Sequence, residues 1–176
     1  MVLDSILDDL KGYREGLLAQ GFWALQVYRF GHLRYRFKTK LIRIPLGLLH
    51  IVLSKLCEIL FGISIGVSAQ IGRRLVIEHF GSIIVHGRAV IGDDCMIRQG
   101  VTIGNRRSDT PFDAPVIGSR VAIGAGAKIL GHVIIGDDVD IGANAVVICD
   151  VPANHIAVGV PAIVKPKSTK KLPLND

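Results

Sequence analysis

Two short runs hold the side chains best suited to acid–base chemistry. In VIEHFGSI, Glu78 and His79 are adjacent, and in GNRRSDTPFDAPV, Arg106, Arg107, Asp109 and Asp113 crowd together. An imidazole with its reference pKa of about 6.5 takes a proton from a hydroxyl near neutral pH and leaves a nucleophilic oxygen. Carboxylates such as Glu78, Asp109 and Asp113 suit a neutral polyol as acceptor, whereas Arg106 or Arg107 suits a carboxylate. His86 and His132 are the rival bases, and both are read as surface residues; His32 and His155 lie in flanking segments. No paired spacing of metal ligands occurs, so no metal is expected. No residue stands out as a covalent carrier, so a transferred group would pass directly to its acceptor.

Both runs interrupt a repeat. Ile or Val recurs every six residues from 65 to 77, from 85 to 103 and from 117 to 147, and eight of these thirteen positions are followed by Gly. The fifth position of each unit is small or aliphatic, as in Ala69, Leu75, Cys95 and Val121. An α-helix or an ordinary strand does not repeat every six residues. Hexapeptides of this kind make a parallel β-helix, with one strand and one turn per unit and three units per triangular coil. Stacked coils bury a continuous column of first-position side chains, and their backbone groups pair with the coils above and below. Thirteen units predict a little over four coils. Glu78 and His79 sit where the spacing widens to eight, and the Arg/Asp run sits where it widens to fourteen. Loops on a rigid scaffold are common places for function.

Residues 1–60 differ. SILDDLKGYREGLLAQ, FWALQVYRFGHLRYRF and PLGLLHIVLSKLCEIL have helical periodicity, with Asp4 or Ser5 as a helix cap and Gly12, Gly21 and Pro45 as turns or breaks. These helices are expected to cover one end of the solenoid, where an open edge would otherwise invite pairing. The division is therefore a helical region at 1–60, a β-helix domain at 61–165 and a flexible tail at 166–176. DVPANHIAVGVPAIVKP is read as a closing segment outside the repeat.

Composition narrows the classes further. The formal net charge of +6 is modest, and no stacking aromatics lie among the basic residues of the repeat, which argues against nucleic acid. Cys57, Cys95 and Cys149 are odd in number and widely spaced, as expected of buried free thiols in a reducing cytoplasm. The N-terminus lacks a signal-peptide pattern. The apolar stretch Leu41 to Ile65 is broken by Arg43, Pro45, His50, Lys55 and Glu58 and is not read as a membrane span. The basic run YRFKTKLIR before it is compatible with peripheral contact to an anionic membrane, but a solvated helix face is the expectation.

These residues resemble the serine acetyltransferases, within the hexapeptide-repeat acyltransferases. The likeness runs from about Gly21 to Lys165 through GFWALQVYRFGHLRY, FGISIGVSAQIGRRLVIEHFGSIIV, QGVTIG, IGAGAKILG and VGVPAIV. The resemblance implies a left-handed β-helix, a homotrimer with sites between neighbouring subunits, and acetyl-CoA as donor. Pairing of two trimers through the helical cap stays open. The resemblance implies that His79 is the general base, with Glu78 in the position of an Asp. The alkoxide would attack the thioester carbonyl, and backbone N–H groups at a coil corner would stabilise the oxyanion. Gly104, Ala125 and Ala143 match the positions along which the family lays CoA, and Lys128 and Lys165 are candidate phosphate contacts.

The match has gaps. Asp113, Ala114 and Pro115 align with an Arg-His-Pro sequence whose Arg is implicated in holding the serine carboxylate. Ser64 aligns with the acid that partners the catalytic His, fifteen residues before it. The tail ends in PLND rather than the terminal Ile that docks into cysteine synthase, so no such complex is expected. The expected activity is acetyl-CoA-dependent O-acetylation of a small hydroxyl acceptor in the cytoplasm, with L-serine, feeding cysteine synthesis, implied by the resemblance. The loop substitutions speak for an alternative acceptor, a sugar hydroxyl in surface-glycan synthesis. A non-catalytic β-helix scaffold is a third reading.

Overall fold

The structure is a computed structural model that describes residues 2–34 and 37–167. Three α-helices precede a parallel β-solenoid: α1 (Val2–Leu10), α2 (Gln20–Leu33) and α3 (Lys40–Phe61). The solenoid strands form three sheets. The first holds β1 (Ile63–Ile65), β4 (Ile83–Val85), β7 (Thr102–Gly104), β10 (Lys128–Leu130) and β13 (Val146–Val147) in that order. The second holds β2 (Gln70–Ile71), β5 (Val90–Ile91), β8 (Val116–Ile117) and β11 (Ile134–Ile135). The third runs β3 (Val76–Glu78), β6 (Met96–Arg98), β9 (Ala122–Ile123), β12 (Asp140–Ile141), β14 (His155–Val158) and β15 (Ile163–Pro166). The chain passes through the sheets in the order first, second, third, and then begins the next coil.

The six-residue spacing becomes three ladders. Ile65, Val85, Ile103, Ile129 and Val147 are in register on the first sheet. Ile77, Ile97, Ile123, Ile141 and Ala157 are in register on the third. Beyond the first coil these rungs and their fifth-position neighbours are almost fully buried. Aliphatic side chains suit this core because each rung meets nearly identical rungs above and below, so shape is matched without aromatic bulk.

The repeat runs further than its spacing suggests. Val151 bridges to Ile135, and β14 pairs in parallel with β12, which completes a fifth coil. The closing segment therefore starts only after Val158, where β15 turns back antiparallel to β14. The shift from six to four residues between Val147 and Val151 hid this coil. Residues 168–176, most of the expected tail, lie outside the described residues.

The helices close the open edge of the first coil with side chains. The Tyr28 hydroxyl donates to the Ala69 carbonyl at 2.6 Å and accepts the Ile71 N–H at 3.2 Å. The Tyr13 hydroxyl donates to the Leu75 carbonyl and accepts the Ile77 N–H. Burial raises both phenol pKa values, so both stay protonated donors. Asp9, 1% exposed, accepts the Arg74 N–H, while Arg29 donates to the Gly72 carbonyl. Strand groups that the next coil would have bonded are thus satisfied by α1 and α2. Tyr28→Phe is expected to cost about 1–2 kcal/mol, because a buried N–H and a buried C=O lose their partner together. Thermal unfolding and faster exchange of the Ile71 amide proton check this; unchanged exchange counts against it.

Several local expectations are corrected. Helix α1 spans Val2–Leu10, so Asp4 and Ser5 fall inside it rather than before it. Gly21 and Pro45 lie inside helices. A Cβ at Gly21 would stand 2.3 Å from the Ile77 carbonyl oxygen, so this glycine serves close packing of α2 on β3. Cys149 is exposed, not buried, because it lies on the corner after β13. The outward face of α3 is a new feature rather than a correction: Leu41, Leu48 and Ile59 are 83%, 61% and 78% exposed, with Lys38 and Lys40 also exposed beside it. The helix carries aliphatic side chains on its open face, and only the side carrying Gly47, His50 and Cys57 is buried.

Candidate active site

The two residues inserted after β3 make its corner bulge, and His79 occupies the bulge with φ of 64°. Left-handed backbone is uncommon outside glycine, though His is among the residues that tolerate it. The imidazole is exposed on the edge where the third sheet turns into the first. Ala125 and Ala143 lie on this same edge two and three coils further on, half-buried and exposed respectively. The Asn144 N–H donates to the Ala125 carbonyl, which ties the two corners together. Small side chains here leave a bare backbone track below His79, the surface a long thin ligand arm requires.

The loop residues are elsewhere. Arg106, Arg107, Asp109 and Asp113 follow β7 and precede β8, so they lie on the edge where the first sheet turns into the second. Gly104 ends β7 at this same edge, buried, with its carbonyl accepting the Gly131 N–H. His86 and His132 also occupy this edge. The first sheet separates the two groups. One chain therefore unites His79 with Ala125 and Ala143, and Gly104 with the loop, but does not unite His79 with the loop.

Electrostatics refine the roles. Glu78 does not pair with its neighbour: its carboxylate accepts from Arg98 Nε at 2.8 Å, across the register Glu78↔Arg98. Arg107 grips Asp109 through two hydrogen bonds of 2.7 and 2.8 Å, and this lowers the Asp109 pKa. The Asp113 N–H bonds the Thr110 carbonyl, and Arg88 stacks on the Phe112 ring at 4.5 Å. The Arg106 stem lies against Gly131. Lys128, half-buried on the outside of β10, donates to the Gly100 carbonyl and, at 3.2 Å, to Thr102 Oγ1 of the preceding coil. Lys165 is exposed on β15, near the last coil.

Three contributors escaped the sequence reading. Arg98 neutralises Glu78, and Arg88 braces the loop. Glu58 of α3 accepts from Ser64 Oγ at 2.9 Å, so a carboxylate does stand at that position, delivered from another element. Its pKa is lowered, first by Lys55 and then by Ser64. Gly62, between Glu58 and Ser64, packs against Gly81 and Ser82 of the segment that leads from His79 into β4. Only the helix stop at Gly62, in left-handed conformation, hints at it in sequence. Among the described residues no cluster of metal-binding side chains occurs.

The chain is similar to known proteins in sequence and fold. Residues 114–149 match the bacterial transferase hexapeptide (six repeats) family. A serine acetyltransferase of Helicobacter pylori (strain J99) is 40% identical over 146 residues, 83% of this chain and 81% of that protein. The crystal structure of serine acetyltransferase in complex with coenzyme A from Brucella abortus strain S19 superposes with a TM-score of 0.82 at 27% identity, covering 96% of this chain and 69% of that one. Soybean serine acetyltransferase complexed with serine gives 0.79 at 31% identity, covering 92% and 68%. A five-coil parallel solenoid, an imidazole at its first interrupted corner and this likeness over most of both sequences lead to one conclusion: the chain belongs to the serine acetyltransferase family.

Proposed function

We propose that the protein transfers the acetyl group of acetyl-CoA to the side-chain hydroxyl of L-serine, at sites shared between the protomers of a homotrimer in the cytoplasm. One observation carries the shared site: His79 and the loop lie on opposite edges of the first sheet, so a neighbouring copy is needed to bring the two together. The serine reading is supported by the 40% identical relative.

His79 accepts the proton of the serine hydroxyl, and the oxygen forms a bond to the thioester carbonyl carbon. Backbone N–H groups at the coil corner hold the resulting oxyanion. When the tetrahedral species collapses, the C–S bond breaks, and the imidazolium returns its proton to the departing thiolate. The products are O-acetylserine and free CoA. Glu58 and Ser64 are bonded to each other where α3 enters the first coil, and Glu78 is held by Arg98. Ala125 and Ala143 line the track for the pantetheine arm, with Gly104 of the neighbour across from it. Of the two candidate lysines, Lys165 is the one exposed toward phosphate, since Lys128 is engaged with Gly100 and Thr102.

A sugar hydroxyl is the second reading, favoured by the loop. The Arg107 charge is taken up by Asp109, and an acid stands at position 113. The deciding experiment measures thiol release from acetyl-CoA with serine, homoserine and simple sugars. Release with serine above the others is expected; release only with sugars replaces the acceptor, and no release and no CoA binding with any acceptor leaves a scaffold. Light scattering tests the assembly: a monomer with full turnover would refute the shared site.

A further inference from the structure

We propose that α3 lies flat on an anionic lipid bilayer and makes the protein a peripheral membrane enzyme. The helix is 22 residues long, about 33 Å at 1.5 Å per residue, with a mean hydropathy of 1.8 over its most apolar window and only 17% of that window buried. Leu41, Ile44, Leu48, Val52, Leu56 and Ile59 follow one another at intervals of three or four, so they form one stripe along the whole helix. All six are exposed, and further exposed aliphatics flank them. At 100° per residue the exposed aliphatics span about half the circumference, opposite the face that packs, with Lys55 set among them and ion-paired to Glu58.

Charge selects lipid as the occupant. The solenoid domain, 61–165, is neutral, with nine basic and nine acidic residues. Residues 1–60 carry nine basic against five acidic, so most of the excess lies with the helices. Lys38 and Lys40 are exposed at the start of α3, and the first turn of the helix has no acidic residue. Cations at a helix N-terminus oppose the macrodipole, so they do not serve the helix itself. Beside an aliphatic stripe they fit phosphate headgroups, into whose plane such a helix sinks by about 5–10 Å. A protein partner fits less well. The stripe is wider than the narrow seam of a helix pair, and it has no aromatic, Met or Arg anchor. Spanning the bilayer is incompatible with the fold, because α3 packs on α2, and α2 carries Gln26 and the Arg29–Asp9 pair.

Flotation of the full chain with phosphatidylcholine vesicles, with and without phosphatidylglycerol, tests this. The protein is expected to float with the phosphatidylglycerol vesicles at low salt and much less at high salt. Lys38→Gln with Lys40→Gln should weaken partition about thirty-fold, near five-fold per cation. Leu48→Gln with Val52→Gln should abolish flotation while circular dichroism and turnover in solution stay unchanged. Protein that remains unbound with phosphatidylglycerol, or equal binding after the Leu48 and Val52 changes, would overturn the proposal. A fall in assembly mass on those changes, with no lipid binding of the parent, would instead assign the stripe to a second copy.

Discussion

His79→Ala is expected to lower kcat by about 10²–10⁴, the usual contribution of a positioned general base. The KM for acetyl-CoA should change little, because the alanine track that would carry the pantetheine arm lies in later coils of the same edge. Folding should be untouched: the ring is exposed at a bulged corner and no rung of the core depends on it. The substitution even replaces one left-handed non-glycine residue by another. Steady-state kinetics with light scattering on the same sample measures both sides. Retention of full activity by a correctly assembled variant removes His79 from its role. Glu78→Gln is the informative companion. Its carboxylate is held by Arg98, so a loss as large as that of His79→Ala would mean that Glu78 orients the imidazole despite that pairing.

The largest structural effect is expected at Asp9. This carboxylate is 1% exposed and accepts from Arg29 Nε at 2.5 Å, Arg29 Nη2 at 2.9 Å, the Arg74 N–H at 3.0 Å and Gln26 at 3.3 Å. It joins α1 to α2 and both to the open edge of the first coil. Asp9→Ala strands a guanidinium that is itself only 22% exposed and leaves a backbone N–H unpaired. A loss of about 2–4 kcal/mol follows, less than for a fully buried pair because Arg29 keeps the Gly72 carbonyl. Urea denaturation measures it. Arg29→Ala should cost a similar amount, and the double variant clearly less than the sum, since both remove one interaction. A cost below about 0.5 kcal/mol for Asp9→Ala would show that the cap holds by apolar packing alone.

Much of this molecule could be read along the chain, because a solenoid is built from local period. Ile or Val every six residues dictates which side chain faces inward, and each coil needs only its neighbours. The same count exposed the two interruptions and so singled out His79 and the loop. The fifth coil was missed because its turn is two residues short, the Gly21 reading failed because packing against β3 outweighed local propensity, and Pro45 is accommodated within α3 near its N-terminal end.

What only the folded chain decided is how the interruptions face and whom they meet. Composition cannot tell which edge of a triangular prism a loop leaves from, and here the two edges differ, which separates the base from the loop. Pairing partners are equally hidden. Arg98 reaches Glu78 from one coil away, at a separation of twenty residues set by the inserted pair, and Glu58 reaches Ser64 across a helix end. Helical periodicity identified α3 as apolar, but a helix with aliphatic side chains on both its packed and its open face does not announce which side its neighbours will cover. That depends on where α2 and the first coil come to rest, and they cover only one.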